Sequence, residues 1–182
     1  MAVTLVKEDG SGLANANAYE DASGALAYFA NTGRTDAWKA YSADARLAAL
    51  VNATTYMDDV YGDRYLGELN ATTQDTQALL WPRQGLLLPS GAAILPANIP
   101  PEIPAACCEF ALISAAGDLD PNPTYNASGR SVSYERVRVE GAVEKETHYD
   151  GGTGKVTKRR HPTAERVLRK WLRPVSRLVL RA

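Results

Sequence analysis

The stretch SADARLAALVNATTYMDDVYG, residues 42–62, decides the fold. Ser42 is suited to accept from the free backbone N–H groups of a first helical turn. Leu47, Leu50, Val51, Thr54, Met57 and Tyr61 then recur at three- and four-residue steps, which puts them on one face of a helix, and Gly62 supplies the stop. No other segment carries so long an uninterrupted helical period, so the chain is organised around a helix with one apolar stripe to bury.

Upstream, Asn17 followed three residues later by Glu20 has the spacing of a capping box and predicts a helix start. Tyr19, Ala22, Leu26 and Phe29 form its stripe, which ends before Asn31-Thr32-Gly33, and a short helical turn around Trp38 bridges to the long helix. Downstream, Pro82, Pro89, Pro96, Pro100 and Pro101 interrupt residues 63–101, which read as an extended connection packed down by Leu79, Leu80, Trp81 and Leu86 to Leu88. Pro101 and Glu102 suit a first helical turn, and Ile103, Ala106, Cys107, Phe110 and Ile113 continue it as a buried helix stopped at Gly117.

Residues 118–129 are rich in Pro, Asn, Asp and Gly, and close this helical body. The segments 131–140 and 143–149, rich in Val, Tyr and Thr around Gly141-Ala142, then predict a β-hairpin. Val132 and Tyr134 share one parity while Val137 and Val139 share the other, so a bulge or a largely solvated ribbon is expected. A last helix is predicted from Pro162 to Arg173, with Ala164, Val167, Leu168, Trp171 and Leu172 on one face and Arg166, Arg169, Lys170 and Arg173 largely elsewhere; Pro174 ends it. The expected fold is therefore mainly α. It comprises a helical body over 1–118, a linker and hairpin over 119–154, and a basic helix and tail over 155–182.

Charge is divided along the same lines. Ten of the twenty Lys and Arg lie in residues 155–182, where Glu165 is the only acid, so the preceding residues carry ten bases against twenty acids. A segment of one sign points to an oppositely charged surface: nucleic acid, an acidic partner, or the acidic body of another copy. Leu178-Val179-Leu180, set between Arg177 and Arg181 near the chain end, adds an apolar element suited to docking.

Catalytic and metal chemistry find little support. Cys107 and Cys108 are adjacent in an apolar run and read as reduced core thiols, and only His148 and His161 are present to join them at a metal. No nucleophile-elbow context accompanies the histidines. Asp58, Asp59 and Asp63 read as a solvated helix end. Gly151 to Lys155 fails the phosphate-loop spacing because Tyr149 stands at the first glycine position and Val156 follows the lysine, and Gly10-Ser11-Gly12 has Asn15 where a third glycine belongs. No run is long enough to span a membrane, and the first residues lack the pattern of a signal peptide, so synthesis in a cytosol is expected.

Four motifs in order carry a resemblance: GSGLANANAY at 10–19, ATTYMD at 53–58, LWPRQG at 80–85 and IPPEI at 99–103. Over residues 5–118 the chain resembles tailed-phage head-tail connector (adaptor, head-completion) proteins, many of which carry the label of DnaT-like single-stranded DNA-binding proteins. The resemblance implies a non-catalytic subunit without cofactor or metal, in a ring of usually twelve copies under the portal. Its implied partners are the portal protein, a tail-side connector, stopper or tail-terminator protein, other copies of the chain, and packaged double-stranded DNA passing without sequence-specific contact. It implies residence in the virion neck and no membrane. Arg166, Arg169, Lys170, Trp171, Arg173, Arg177, Leu178, Val179, Leu180 and Arg181 would then dock on the portal, and the segment after Pro162 would be dispensable for folding. Trp81 would anchor the long connection, with Arg83 either solvated or paired with a neighbouring subunit.

The rival from another class is a single-stranded DNA-binding accessory of replication. A base-stacking surface interleaves aromatics with cations, whereas in residues 155–182 the aromatics are His161 and Trp171, the latter on the apolar face. That pattern favours the connector and predicts weak affinity for single strands.

Overall fold

The computed structural model describes residues 3–88, 90–121, 132–139, 143–149 and 160–174, the two strands of the hairpin by their backbone course. The described residues fall into two compact units, Met1–Leu119 with His161–Ala182, and Asp120–Arg160.

The first unit is built from α1 (Ala22–Asn31), α2 (Thr35–Lys39), α3 (Ala43–Tyr61), α4 (Glu102–Ala116) and α5 (Pro162–Leu168), with single 3₁₀ turns at Gly62–Arg64 and Arg169–Trp171. Two short strands, β1 (Glu68–Leu69) and β2 (Arg83–Gln84), pair antiparallel within the proline-rich connection. The second unit is the antiparallel hairpin of β3 (Val132–Val139) and β4 (Val143–Tyr149), with a register irregularity between Val132 and Tyr134. The architecture is mainly α, as expected.

The long helix forms as its sequence dictates. Ser42 Oγ accepts from Ala45 N at 3.2 Å, and Leu50, Thr54, Met57 and Tyr61 are buried, with Ala49 and Ala53 beside them. Leu47 and Val51 lie at the margin of the stripe and are half-buried. Helix α4 is the main partner of α3. Thr54 Oγ1 lies 3.4 Å from Cys107 Sγ, an approach permitted by small side chains on both helices.

Helix α1 starts later than the sequence pattern suggests. Its cap is Asp21, whose carboxylate accepts from Ser23 N and Gly24 N at 2.9 and 2.8 Å. Asn17 is engaged elsewhere: its side chain accepts from Val6 N and donates to Thr4 O, both at 2.8 Å, clamping the first described segment. Glu20 pairs with Lys7 instead of closing a capping box.

The C-terminal segment departs most from expectation. Ala164, Leu168, Trp171 and Leu172 belong to the same buried cluster as Leu50, Met57 and Phe110, so the helix assigned to a separate tail is a wall of the core. His161 roots it: its Nε2 lies 3.0 Å from Leu119 O, and its ring packs edge-on against Tyr56 and Phe110 at centroid separations of 5.7 and 5.8 Å. The helix also ends early. Leu172 is extended and bridges Tyr65, with Leu66 N donating to Trp171 O at 2.9 Å and Arg173 N to Arg64 O at 2.7 Å, and Pro174 disfavours helical geometry at the residue before it.

Candidate functional site

Pinning the last segment by its apolar face fixes where its charges go. Arg166, Arg169, Lys170 and Arg173 are exposed while Leu168 and Trp171 between them are buried. Lys170 donates to Glu102 Oε1 at 2.6 Å, and the same carboxylate accepts from Trp171 Nε1 at 3.0 Å. Burial pushes the Glu102 carboxyl up, but the hydrogen bonds from Lys170 and Trp171 outweigh it and hold the group below its ordinary range. Among the described residues, no carboxylate lies within ion-pair distance of Arg166, Arg169 or Arg173. Arg177, Leu178, Val179, Leu180 and Arg181 lie outside the described residues.

This placement corrects the docking role assigned to Trp171. Its indole is 2% exposed and stands edge-on to Trp81 at 6.3 Å, so it is spent on the chain's own core and is not free to meet a partner. Trp81 is itself fully buried and packs edge-on against Tyr65 at 5.5 Å, which ties the proline-rich connection to the bundle; the Trp81–Pro82 peptide is cis.

Arg83 is neither solvated nor paired with a carboxylate in this unit. It is 8% exposed, and it donates through Nε to Leu66 O at 2.8 Å, through Nη1 to Leu80 O at 3.2 Å and through Nη2 to Gly67 O at 3.0 Å. The guanidinium thus clasps the turn before β1 to its own strand β2. Desolvation lowers its pKa, and the nearby charge of Arg173 acts in the same direction. Arg64 joins them, since its Nη2 donates to Arg173 O at 3.3 Å while its Nε is buried without a partner.

Two other features resemble anion sites and are not. The turn at Gly10 and Gly12, both at positive φ, aims the N–H groups of Gly10, Gly12 and Leu13 at one carboxylate, at 3.0, 2.8 and 2.9 Å; that carboxylate belongs to buried Glu8, so the chain fills this nest itself. A Cβ at Gly10 would stand 1.9 Å from Ala97 O, which is why glycine is needed there. A cleft of about 610 Å³ is lined by Lys7 and Lys170 and also by Glu8, Asp9 and Glu102, and both lysines are ion-paired, so it offers no surplus of positive charge.

Asp58, Glu109 and the two thiols are bound into the core. Asp58, expected at a solvated helix end, accepts from Tyr19 Oη at 2.6 Å, Leu80 N at 3.1 Å and Tyr65 Oη at 3.4 Å, and burial raises it to about 6 against those hydrogen bonds. Glu109 is 5% exposed; burial pushes it up, but hydrogen bonds from Arg34 and from Tyr28 Oη, the latter at 2.5 Å, hold it below its ordinary range. Burial raises the Cys107 thiol to about 11 and raises that of Cys108 as well. Among the described residues no three His, Cys, Asp or Glu side chains gather as a metal set, and no helix is long and apolar enough to cross a membrane.

In backbone register, Arg136 lies opposite Glu146, Arg138 opposite Glu144 and Lys145 opposite Val137. In the first unit, exposed arginines without an ion pair lie on the 160–174 segment.

Against known families, the model described as "Putative DnaT-like ssDNA binding protein" matches residues 3–182. The chain belongs to that family. No curated protein matches the chain, and no solved structure does. The family match corrects the identification as a head-tail connector, and with it the ring of twelve copies, the portal and tail-side partners and the passage of packaged DNA. The weighting of the two classes reverses: the single-stranded DNA-binding reading, set second on the missing aromatic pattern, is the one the family supports.

Proposed function

We propose that this chain binds single-stranded DNA through its phosphates, on the outward face carrying Arg166, Arg169 and Arg173. The observation that carries the reading is the locked orientation of that face. Leu168, Trp171 and Leu172 are buried on one side, and Arg166, Arg169 and Arg173, with no carboxylate among the described residues within ion-pair distance, stand exposed on the other. A fixed row of guanidinium groups suits a flexible polyanion, and it reads no bases. The family description supports the same ligand.

The contact is made by charge with little stacking. The one indole of the segment faces inward, so the π-platform that usually adds affinity for each base is missing from this face. Binding should therefore be insensitive to sequence and steeply dependent on salt. The action proposed is binding without a chemical step: Asp58, Glu109 and Cys107 are buried and hydrogen-bonded within the core.

The test is anisotropy of a labelled oligothymidine from low to physiological salt. The affinity should fall log-linearly with salt, and the triple variant Arg166→Glu, Arg169→Glu, Arg173→Glu should abolish binding, with roughly 0.7 of slope lost per phosphate contact removed. Absence of binding by the intact chain at low salt, or equal binding by the triple variant, sinks the reading.

A further inference from the structure

We propose that Arg64, Arg83 and Arg173 form a phosphate-binding site where the 64–66 segment pairs with 171–173. The inference deepens the reading above and rests on it for the source of the phosphate.

A guanidinium buried as deeply as that of Arg83 ordinarily faces a carboxylate, because a desolvated charge without a counter-charge is costly. Arg83 faces three carbonyl oxygens, which orient its plane and use three of its five N–H groups without neutralising it. Arg173 adds a second positive charge close enough to act on it. Arg64 is the third. It is tied to the same place by the reciprocal bonds Arg173 N to Arg64 O and Arg64 Nη2 to Arg173 O.

Among the described residues, no ion pair offsets this cluster. Asp63 and Glu68 flank the segment in sequence, yet neither lies within ion-pair distance of the three guanidinium groups, and Asp58 acts on Arg83 only weakly beside burial and Arg173. The Nε of Arg64 is moreover shielded from solvent with no acceptor. A buried donor left empty on one of three clustered arginines is the arrangement an anion completes.

The chemistry selects phosphate. Guanidinium forks match its oxygens in bidentate geometry, and converging arginines from separate segments suit a tetrahedral oxyanion better than a planar carboxylate. Inorganic phosphate and a phosphodiester of a DNA strand share that chemistry, and the experiment separates them.

The experiment compares the intact chain with the double variant Arg64→Gln, Arg173→Gln, which leaves Arg83 and its carbonyl clasp in place so that folding is retained. Thermal midpoints are recorded in sodium phosphate and in sodium chloride at equal ionic strength, and oligothymidine affinity is measured with and without phosphate as competitor. Phosphate should raise the midpoint of the intact chain by several degrees and leave the double variant unmoved, oligonucleotide affinity should drop about tenfold in the variant, and free phosphate should compete for the intact chain only. If the intact chain binds oligonucleotide while the variant matches it in affinity and in phosphate response, the site is refuted, and the DNA-binding reading stands on Arg166 and Arg169 without Arg173. If the intact chain binds no oligonucleotide but shows a phosphate shift that the variant loses, the site stands as one for free phosphate and the DNA-binding reading falls. Absence of a phosphate shift and of oligonucleotide binding in the intact chain refutes both.

Discussion

Ending the chain at Arg160 should destroy the cooperative fold. The truncation removes His161, Ala164, Leu168, Trp171 and Leu172, all buried, and strips the surfaces of Tyr65, Trp81 and Phe110 that they cover. Burial of a Leu or larger side chain contributes about 1.5–3 kcal/mol, and Leu168, Trp171 and Leu172 each supply that contribution. To this are added the hydrogen bonds of Trp171 Nε1 to Glu102 and of the Leu66 and Arg173 amides, at about 1 kcal/mol each. The loss is comparable to the whole stability of an ordinary domain, about 5–15 kcal/mol. Urea unfolding followed by tryptophan fluorescence and far-ultraviolet circular dichroism tests this: the truncated chain should show a broad or absent transition and bind hydrophobic dyes. A milder variant guards against a trivial failure. Leu168→Ala should cost roughly 2–5 kcal/mol, lowering the thermal midpoint by about 4–20 °C at the usual 2–4 °C per kcal/mol for this size. A truncated chain that melts cooperatively within a few degrees of the intact protein would refute the reasoning and restore the segment as a detachable tail.

Two further predictions concern buried carboxylates. Asp58 titrates near 6 in the folded chain against an ordinary 3.8, so the fold holds its proton more tightly; stability from this group is present below about pH 4 and is lost as pH rises to about 6, roughly 3 kcal/mol in order of magnitude. The difference in unfolding free energy between Asp58→Asn and the intact chain should therefore shift in favour of the variant across pH 4 to 6, and a pH-independent difference contradicts the burial of an ionised group there. Arg34→Ala should cost about 2–3 kcal/mol at pH 7, less than the loss from a fully buried pair because Arg34 is a third exposed, and the cost should shrink below pH 4.5 as Glu109 takes a proton; chemical denaturation at pH 4 and pH 7 measures both.

What the sequence made legible was local. Helix α3 follows from Ser42 and the spacing of Leu50, Thr54, Met57 and Tyr61, because cap and stripe are set within a few residues of one another. The hairpin was readable for the same reason, but the parity change falls between Tyr134 and Val137 whereas the register shift lies between Val132 and Tyr134, two residues that parity puts on one face. The start of α1 was misplaced because Asn17 and Asp21 are both competent caps, and the choice falls to Thr4 and Val6, which occupy Asn17 from beyond the helix. Asp58 looked solvated because its partners Tyr19 and Leu80 stand 39 and 22 residues away. Arg83 was mistaken for the same reason: carbonyl acceptors leave no trace in a sequence, so a clasp around Leu66 and Gly67 cannot be told from a free cation. The amphipathic stripe of the last helix was plain, but periodicity says only that a face is covered, not whether the cover is the chain's own core or a partner.

That last distinction also decides how the divided charge works. If the basic segment were a loose tail, the twenty acids of the preceding residues would attract it as readily as any external polyanion, and the two would neutralise each other. Docking Leu168, Trp171 and Leu172 into the core limits that freedom: Lys170 stays paired with Glu102, while Arg166, Arg169 and Arg173 are held exposed with no carboxylate among the described residues within ion-pair distance. On the reading proposed above, exposed acids would repel a nucleic-acid strand while the arginine face attracts it, so a strand would be steered toward that face without any base being read. Within a Debye length of about 8 Å at physiological salt, this discrimination would act only on phosphates already near the surface.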